Sequence, residues 1–122
     1  MPKFMITFTH VEGDLADRVP RFAELTAEEG QRLREAHSEF DRVLRTEHDT
    51  AMLHLAQPAE AKTVRLHADG RLEVTDGPFR DGPEQPGGFF IIEAPSMDKA
   101  VELARRGRWL VGSNEVRELI EL

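Results

Sequence analysis

The sequence predicts one α+β domain over residues 1–122, with its strands and helices in the order βαββαβ. An alternating apolar run at Phe4–Phe8 is typical of a half-buried strand, and two capped helical patterns begin after Thr26 and Ser96. A continuous apolar run at Phe89–Ile92 indicates a central strand that is buried on both faces. This order is that of the ferredoxin-like fold, an antiparallel sheet with two helices on one face.

The composition is that of an ordinary globular protein. Apolar residues make up 39% and charged residues 32% of the chain, so it has neither the low hydrophobicity of a disordered protein nor a run of about 18 apolar residues that spans a bilayer. The net charge of −7 disfavours binding to phosphate backbones and to anionic membranes. The start lacks a secretion signal and the chain has no cysteine, so we expect a soluble cytoplasmic protein.

The first strand is predicted to end at His10 and the first helix to begin at a capping box. Residues 11–21 carry Gly, Asp and Pro without a regular period and predict a polar loop. Thr26 and Glu29 can satisfy backbone N–H groups reciprocally, so the helix should run from Ala27 to about residue 46. Its buried face is predicted by five apolar residues: Leu33, Ala36, Phe40, Val43 and Leu44.

The middle of the chain predicts a meander followed by a loop. Residues 51–56 and 62–68 have strand patterns, and Asp69-Gly70 supplies a tight turn before a return strand at 72–75, which adds a hairpin strand to the basic order. Turn-forming residues are so dense over 76–88 that we expect a structured loop without regular elements.

The last third predicts a helix and a final strand. Ser96 is placed to cap the helix, and Asp98 lies near its positive end. The apolar stripe of this helix is predicted to be Met97, Ala100, Val101 and Ala104. A final strand is expected over about 114–122, although its apolar residues do not alternate cleanly.

The predicted sheet has one face that the helices cannot cover. Four strands spaced by about 4.8 Å make a sheet about 20 Å wide. Two helices of about 10 Å diameter cover that width on one face of the sheet only. Alternate side chains of Phe89–Ile92 point to opposite faces, which leaves apolar groups on the bare face. We therefore predict a homodimer across a two-fold axis; the alternative is that the 76–88 loop folds over this face.

Three motifs in the second half of the chain carry a resemblance to a known family. They are Val74-Thr75-Asp76-Gly77-Pro78-Phe79, Gly87-Gly88-Phe89-Phe90-Ile91-Ile92-Glu93-Ala94 and Glu115-Val116-Arg117. With this spacing the chain resembles the DGPF-type branch of the YCII-related domain family over nearly its full length. The resemblance implies a ferredoxin-like fold and a dimeric assembly similar to an α/β barrel. It leaves the activity open between small-molecule enzyme and a module linked to transcription initiation.

The chain departs from the family pattern after the DGPF motif. The family carries Glu-Thr-Lys-Glu there, and this chain has Asp81-Gly82-Pro83-Glu84, which keeps two carboxylates and loses the lysine. No histidine aligns with the suspected His/Asp pair of more distant relatives, and Glu118 replaces the proline of the EVRP-like ending. The resemblance therefore implies no role that needs the lysine ammonium.

Asp76 is the first candidate functional residue. A carboxylate in a turn beside Gly77 and Phe79 can act as a general base or bind a ligand; alternatively, it holds the turn by bonding backbone N–H groups two residues on. His10 lies before a loop with carboxylates, which would orient an imidazole, or it is simply solvated. The candidate acid–base residues are Asp76, His10 and Glu84, and the candidate ligand-binding residues are Gly77, Phe79 and Asp81.

Three functions stay open on the sequence alone: a small-molecule enzyme with its site in a dimer cleft, a ligand-binding or regulatory module, and a structural interaction protein. His37 and Asp41 lie four apart on the first helix and are interpreted as a surface pair. The chain has no P-loop, dinucleotide-binding or zinc spacing, so we predict no cofactor and no metal.

Overall fold

The computed structural model describes residues 1–11, 26–107 and 112–122. The elements are β1 (Lys3–Val11), α1 (Ala27–Glu47), β2 (Leu53–His54), β3 (Lys62–Leu66), β4 (Leu72–Asp76), β5 (Glu84–Glu93), α2 (Met97–Arg106) and β6 (Asn114–Glu118), with a 3₁₀ turn at Pro58–Glu60. The polar loop predicted for 11–21 lies, beyond Val11, outside the described residues.

The main sheet has four antiparallel strands in the order β2-β5-β1-β6, which confirms the ferredoxin-like fold. The predicted meander is wrong, because β2 pairs with β5 while β3 and β4 form a separate two-stranded sheet. The 3₁₀ turn at Pro58–Glu60 lies between β2 and β3 and separates the two sheets along the chain.

The hydrophobic core lies between one face of the main sheet and the two helices. Phe4 and Ile6 of β1 pair with Ile92 and Phe90 of β5, and all four side chains are buried. The rings of Phe40 and Phe90 meet edge to face at 5.6 Å, which joins α1 to the sheet. The other apolar helix residues in this core are Val43, Leu44, Ala100, Leu103 and Ala104.

The helix starts follow their predicted caps. Thr26 Oγ1 accepts a hydrogen bond from the Glu29 backbone N–H at 3.1 Å, and Ser96 Oγ accepts one from the Lys99 N–H at 3.3 Å. The predicted stripe of α2 was wrong in part, since Met97 and Val101 are exposed and Leu103 is buried in the core. On α1, Ala36 of the predicted buried face is exposed. Within the described residues, neither helix combines the length and the hydropathy of a membrane span.

Strand β5 begins earlier than predicted, so the expectation of a loop through residue 88 was wrong for residues 84–88. The end of β1 pairs with this segment, and a register shift between Phe8 and Thr9 skips Gly87. Gly87 and Gly88 leave room for neighbouring groups to approach the backbone closely. A Cβ on Gly88 would lie 2.1 Å from the Leu53 carbonyl oxygen, and one on Gly87 would lie 2.1 Å from a ring nitrogen of His10.

The second face of the main sheet is the one that points away from the core. The side chains that project there are those of Met5, Phe89, Ile91 and Leu53. Met5, Phe89 and Ile91 alternate along their strands with core residues, and Leu53 pairs with Phe89. Phe90 is 2% exposed whereas Ile91 is 38% exposed, so the apolar run does place side chains on both faces. We call these four side chains the open sheet face.

Candidate functional site

A cleft of about 380 Å³ lies between the chain that leads into β3, the turn after β4 and the start of β5. Its size is typical of a site for a small organic molecule. Its apolar lining comes from Leu55, Ala56, Pro58, Ala61, Pro78, Phe79 and Pro86. Its polar lining comes from Gln57, Glu60, Lys62, Thr63, Arg80 and Gln85.

The turn after β4 forms one wall of the cleft. Gly77 has a φ of +96°, which favours glycine, and its N–H donates to the Ala61 carbonyl at 2.7 Å. The Thr63 hydroxyl donates to the Gly77 carbonyl at 2.8 Å. These two bonds close the base of the hairpin and place Pro78 and Phe79 at the cleft, where the Phe79 side chain is 78% exposed.

Asp76 lies at the rim of this wall and is bonded to a lysine. It is directly opposite Lys62 in the β3–β4 pairing, and its carboxylate accepts a hydrogen bond from the Lys62 ammonium. The expectation that it bonds a backbone N–H two residues on is wrong, because that residue is Pro78, which has no N–H. Its side chain is 85% exposed, and the bond fixes the ammonium of a cleft-lining residue.

The start of β5 forms the opposite wall. The Gln85 side chain is buried, and its amide nitrogen donates to the Arg80 carbonyl at 2.7 Å and to the Gly82 carbonyl at 2.9 Å. Gly82 has a φ of +98°, which lets the chain turn back there. Gln85 therefore ties the segment that follows Phe79 to the sheet and fixes the backbone position of Arg80.

Arg80 is the second cation that lines the cleft, beside Lys62. Lys62 is paired with Asp76, and the Glu60 carboxylate accepts a hydrogen bond from the Gln57 N–H at 3.2 Å. Among the described residues Arg80 has no ion-pair partner. An arginine side chain presents five N–H donors in a planar fork that matches a carboxylate or a phosphate group.

His10 lies near the end of β1 and Glu84 at the start of β5, and neither lines the cleft. His10 pairs with Gln85, and its ring lies 6.0 Å from the Phe8 ring. Glu84 accepts a hydrogen bond from the Thr9 hydroxyl at 2.7 Å. Of the six predicted site residues, the structure places Phe79 in the cleft lining, Asp76 at the end of β4 and Gly77 in the turn that follows it, and His10, Asp81 and Glu84 outside the lining.

The family assignment follows from a comparison with known sequences. The YCII-related domain model matches residues 3–122, which is nearly the whole chain. The chain belongs to the YCII-related domain family. An uncharacterised protein of Rhizobium meliloti (strain 1021) is 38% identical to it over 65 residues, which are 51% of this chain and 52% of that protein. The chain thus spans about half the length of this curated relative, and assignment to the DGPF-type branch stays a prediction.

Sequence reasoning missed several cleft residues of this YCII-related domain. Lys62, Thr63 and Leu55 lie in segments interpreted only as strands, and Gln85 lay in the stretch expected to be irregular. One signal was available in the turn itself. Arg80 directly follows the DGPF motif, and a cation at that position of a protein with a net charge of −7 suggests an anionic ligand.

Proposed function

We propose that this YCII-related domain binds a small organic anion in the cleft beside the Gly77–Arg80 turn. The ligand has an apolar body and one carboxylate or phosphate group. The observation that carries the proposal is Arg80, a cation at a mainly apolar cleft with no ion-pair partner among the described residues. Arg80 is exposed at the cleft, and a guanidinium binds a carboxylate or phosphate group best through two parallel N–H donors.

The other cleft groups support this ligand class. Phe79 and the proline residues offer apolar surface for the body of a ligand. The Thr63 hydroxyl and the Gln85 amide donate hydrogen bonds to backbone carbonyls, so the polar contacts of the ligand fall mainly to Arg80. The net charge of −7 disfavours a large polyanion, and Arg80 and Lys62 are the two cations that line the cleft. A small molecule with one anionic group and an apolar body fits both the cationic Arg80 and the apolar lining of the cleft.

The geometry favours binding over acid–base catalysis in this cleft. A general acid or base must lie within about 3 Å of the reacting group, or reach it through one water. Asp76 is exposed and paired with Lys62, and neither His10 nor Glu84 lines the cleft. The acid–base roles of these three residues stay predictions.

The test uses benzoate as the anionic probe and benzyl alcohol as its neutral counterpart. We expect benzoate to shift backbone amide resonances of Ala61–Thr63 and Phe79–Arg80, and benzyl alcohol to bind more weakly. Arg80→Gln should weaken benzoate binding roughly tenfold or more, because one charge-assisted interaction is lost. The matched control is Arg65→Gln, which removes an exposed arginine outside the cleft lining. Equal weakening by both variants would contradict the proposal.

We also propose that the domain works as a homodimer. The support is the open sheet face, where Leu53 is 56% and Ile91 38% exposed in the single chain. Monomers rarely expose large contiguous apolar patches, and two-fold dimers are the commonest way to bury them.

A further inference from the structure

Three charged side chains line the cleft, and a fourth is bonded to one of them. Lys62 and Arg80 are the cations of the described lining, and Glu60 is its carboxylate. The fourth is Asp76, which accepts a hydrogen bond from the Lys62 ammonium. Lys62 therefore has its own counter-charge, whereas Arg80 has no ion-pair partner among the described residues.

The register of the β3–β4 hairpin holds Lys62 and Asp76 together. The Gly77 N–H donates to the Ala61 carbonyl, so residues 61 and 77 form a hydrogen-bonded pair. Hydrogen-bonded and non-hydrogen-bonded pairs alternate along antiparallel strands, which makes Lys62 and Asp76 a non-hydrogen-bonded pair. Side chains approach each other more closely in pairs of this kind. The backbone at the base of the hairpin thus sets the ion pair.

A second ion pair of the same hairpin lies outside the cleft. Arg65 and Glu73 also face each other across β3 and β4, but by the same alternation they belong to a hydrogen-bonded pair, in which side chains are farther apart. The Arg65 guanidinium and the Glu73 carboxylate lie 4.0 Å apart, and neither residue lines the cleft. This pair provides a matched comparison for the pair of Lys62 and Asp76.

We propose that the ion pair of Lys62 and Asp76 limits the cleft to ligands with a single negative charge. The inference rests on the proposed anion site and narrows its ligand class to carboxylates in preference to phosphate monoesters. The guanidinium fork of Arg80 matches two oxygens of either group. The two groups differ in charge, because a carboxylate carries one negative charge and a phosphate monoester carries about 1.5 to 2 at pH 7.

The second charge of a phosphate monoester has no counter-charge in the described lining. Arg80 balances the first charge, while the Lys62 ammonium is already bonded to Asp76. The Glu60 carboxylate lines the cleft as well, and its hydrogen bond from the Gln57 N–H leaves its negative charge in place. A dianion bound to Arg80 therefore carries an unbalanced charge near two carboxylates of the protein, which lowers its affinity.

Asp76→Asn tests the ion pair with little change of shape. The asparagine side chain keeps an oxygen that can accept from the Lys62 ammonium, but it carries no charge. The probes are benzoate and phenyl phosphate at about pH 8, where the phosphate is a dianion because its second pKa is about 6. Asp76→Asn should raise the affinity for phenyl phosphate roughly tenfold and the affinity for benzoate at most about threefold. The amide resonances of Ala61–Thr63 and Phe79–Arg80 report both dissociation constants.

Glu73→Gln is the matched control. It removes one negative charge from the same strand and from a cross-strand ion pair, so it changes the net charge of the protein as much as Asp76→Asn does. It should change the affinity for either probe by less than about twofold, because neither Glu73 nor its partner Arg65 lines the cleft.

A double variant separates the part of the ammonium from that of the carboxylate. In a Lys62→Gln background, Asp76→Asn releases no cation and should raise the affinity for phenyl phosphate by at most about threefold. A tenfold gain that persists in this background would show that Asp76 repels the ligand directly, and the role of the ion pair would be wrong.

Salt distinguishes this charge effect from a change in the shape of the cleft. Lys62 and Asp76 are largely exposed, so ions of the solvent screen them. The Debye length falls from about 30 Å at 0.01 M salt to about 3 Å at 1 M, and the roughly tenfold gain should shrink to about twofold or less. A gain of the same size at both salt concentrations would contradict the inference.

The wild type should bind benzoate at least as tightly as phenyl phosphate. A wild type that binds phenyl phosphate about tenfold more tightly than benzoate would overturn the inference, as would equal gains for both probes in Asp76→Asn. In either case benzoate still shifts the cleft amides, and the proposed anion site stands. If neither probe shifts these amides, the anion site and the inference that rests on it are both wrong.

Discussion

At the residue scale, the Asp76 carboxylate pairs with the Lys62 ammonium and does not bond to the turn. This pairing decides how much stability a substitution of Asp76 should cost. Both side chains are largely exposed, and exposed ion pairs contribute about 0–1 kcal/mol. Asp76→Asn and Asp76→Ala should therefore lower the free energy of unfolding by similar amounts, below about 1 kcal/mol each. Urea unfolding at fixed protein concentration measures both.

Thr63→Val is the matched comparison for the turn, because its hydroxyl holds the Gly77 carbonyl. We expect it to cost about 1 kcal/mol or more, since the carbonyl loses a partner in a half-buried position. An Asp76→Ala variant that is much less stable than Asp76→Asn, beside a neutral Thr63→Val, would show that the carboxylate holds the turn after all.

The two glycines of β5 should respond differently to alanine. Gly88→Ala places a methyl group against the backbone oxygen of Leu53 and should cost at least about 2 kcal/mol, because backbone cannot move aside easily. Gly87→Ala meets the His10 ring, which can rotate away. Adding His10→Ala should therefore remove most of the cost of Gly87→Ala. A double-mutant cycle that shows no coupling would contradict this packing.

At the element scale, the cap of α2 allows a direct stability prediction. Ser96→Ala removes the acceptor for the Lys99 N–H and should lower stability by about 1 kcal/mol, or the melting temperature by about 4 °C. The control is Ser38→Ala at an exposed position inside α1, where alanine is the better helix former. Thermal unfolding followed by circular dichroism measures both, and equal melting temperatures would contradict the role of the cap.

The helices were predictable because their signals are local. The Thr26 and Ser96 caps and the spacing of Phe40, Val43 and Leu44 lie within a few residues of the structure that they specify. The start of β5 was not predictable in the same way. Its Pro86-Gly87-Gly88 sequence is typical of a turn, and only the distant end of β1 makes it a strand. The pairing partner of β2 depends likewise on a strand more than thirty residues away.

At the scale of the whole molecule, the element order sufficed to predict the ferredoxin-like class, because few arrangements of βαββαβ are sterically acceptable, but it did not predict that β3 and β4 form a separate sheet. The cleft was not predictable, since it depends on how the hairpin base and the Gly77–Arg80 turn meet the start of β5. Phe79 was found because it lies in a recognisable motif, whereas Lys62 and Gln85 reach the cleft only through long-range pairing.

The two faces of β5 give a whole-molecule prediction. Phe90→Asp places a charge in the core and should abolish cooperative folding, whereas Ile91→Asp should leave the fold intact and split the dimer. Circular dichroism reports the fold and light scattering reports the mass. An Ile91→Asp variant that remains a dimer with the wild-type melting temperature would contradict the proposed use of the open sheet face.

The cleft as the binding site is tested most directly by isotope-filtered nuclear Overhauser effects between benzoate ring protons and methyl groups of the labelled protein. Binding in the cleft predicts contacts to the methyl groups of Leu55, Ala61 and Thr63, which surround the apolar lining near Phe79. These contacts should disappear in Arg80→Gln at the same benzoate concentration. Contacts confined to methyl groups elsewhere, or contacts in the cleft that are unchanged in Arg80→Gln, would contradict an anion site built on Arg80.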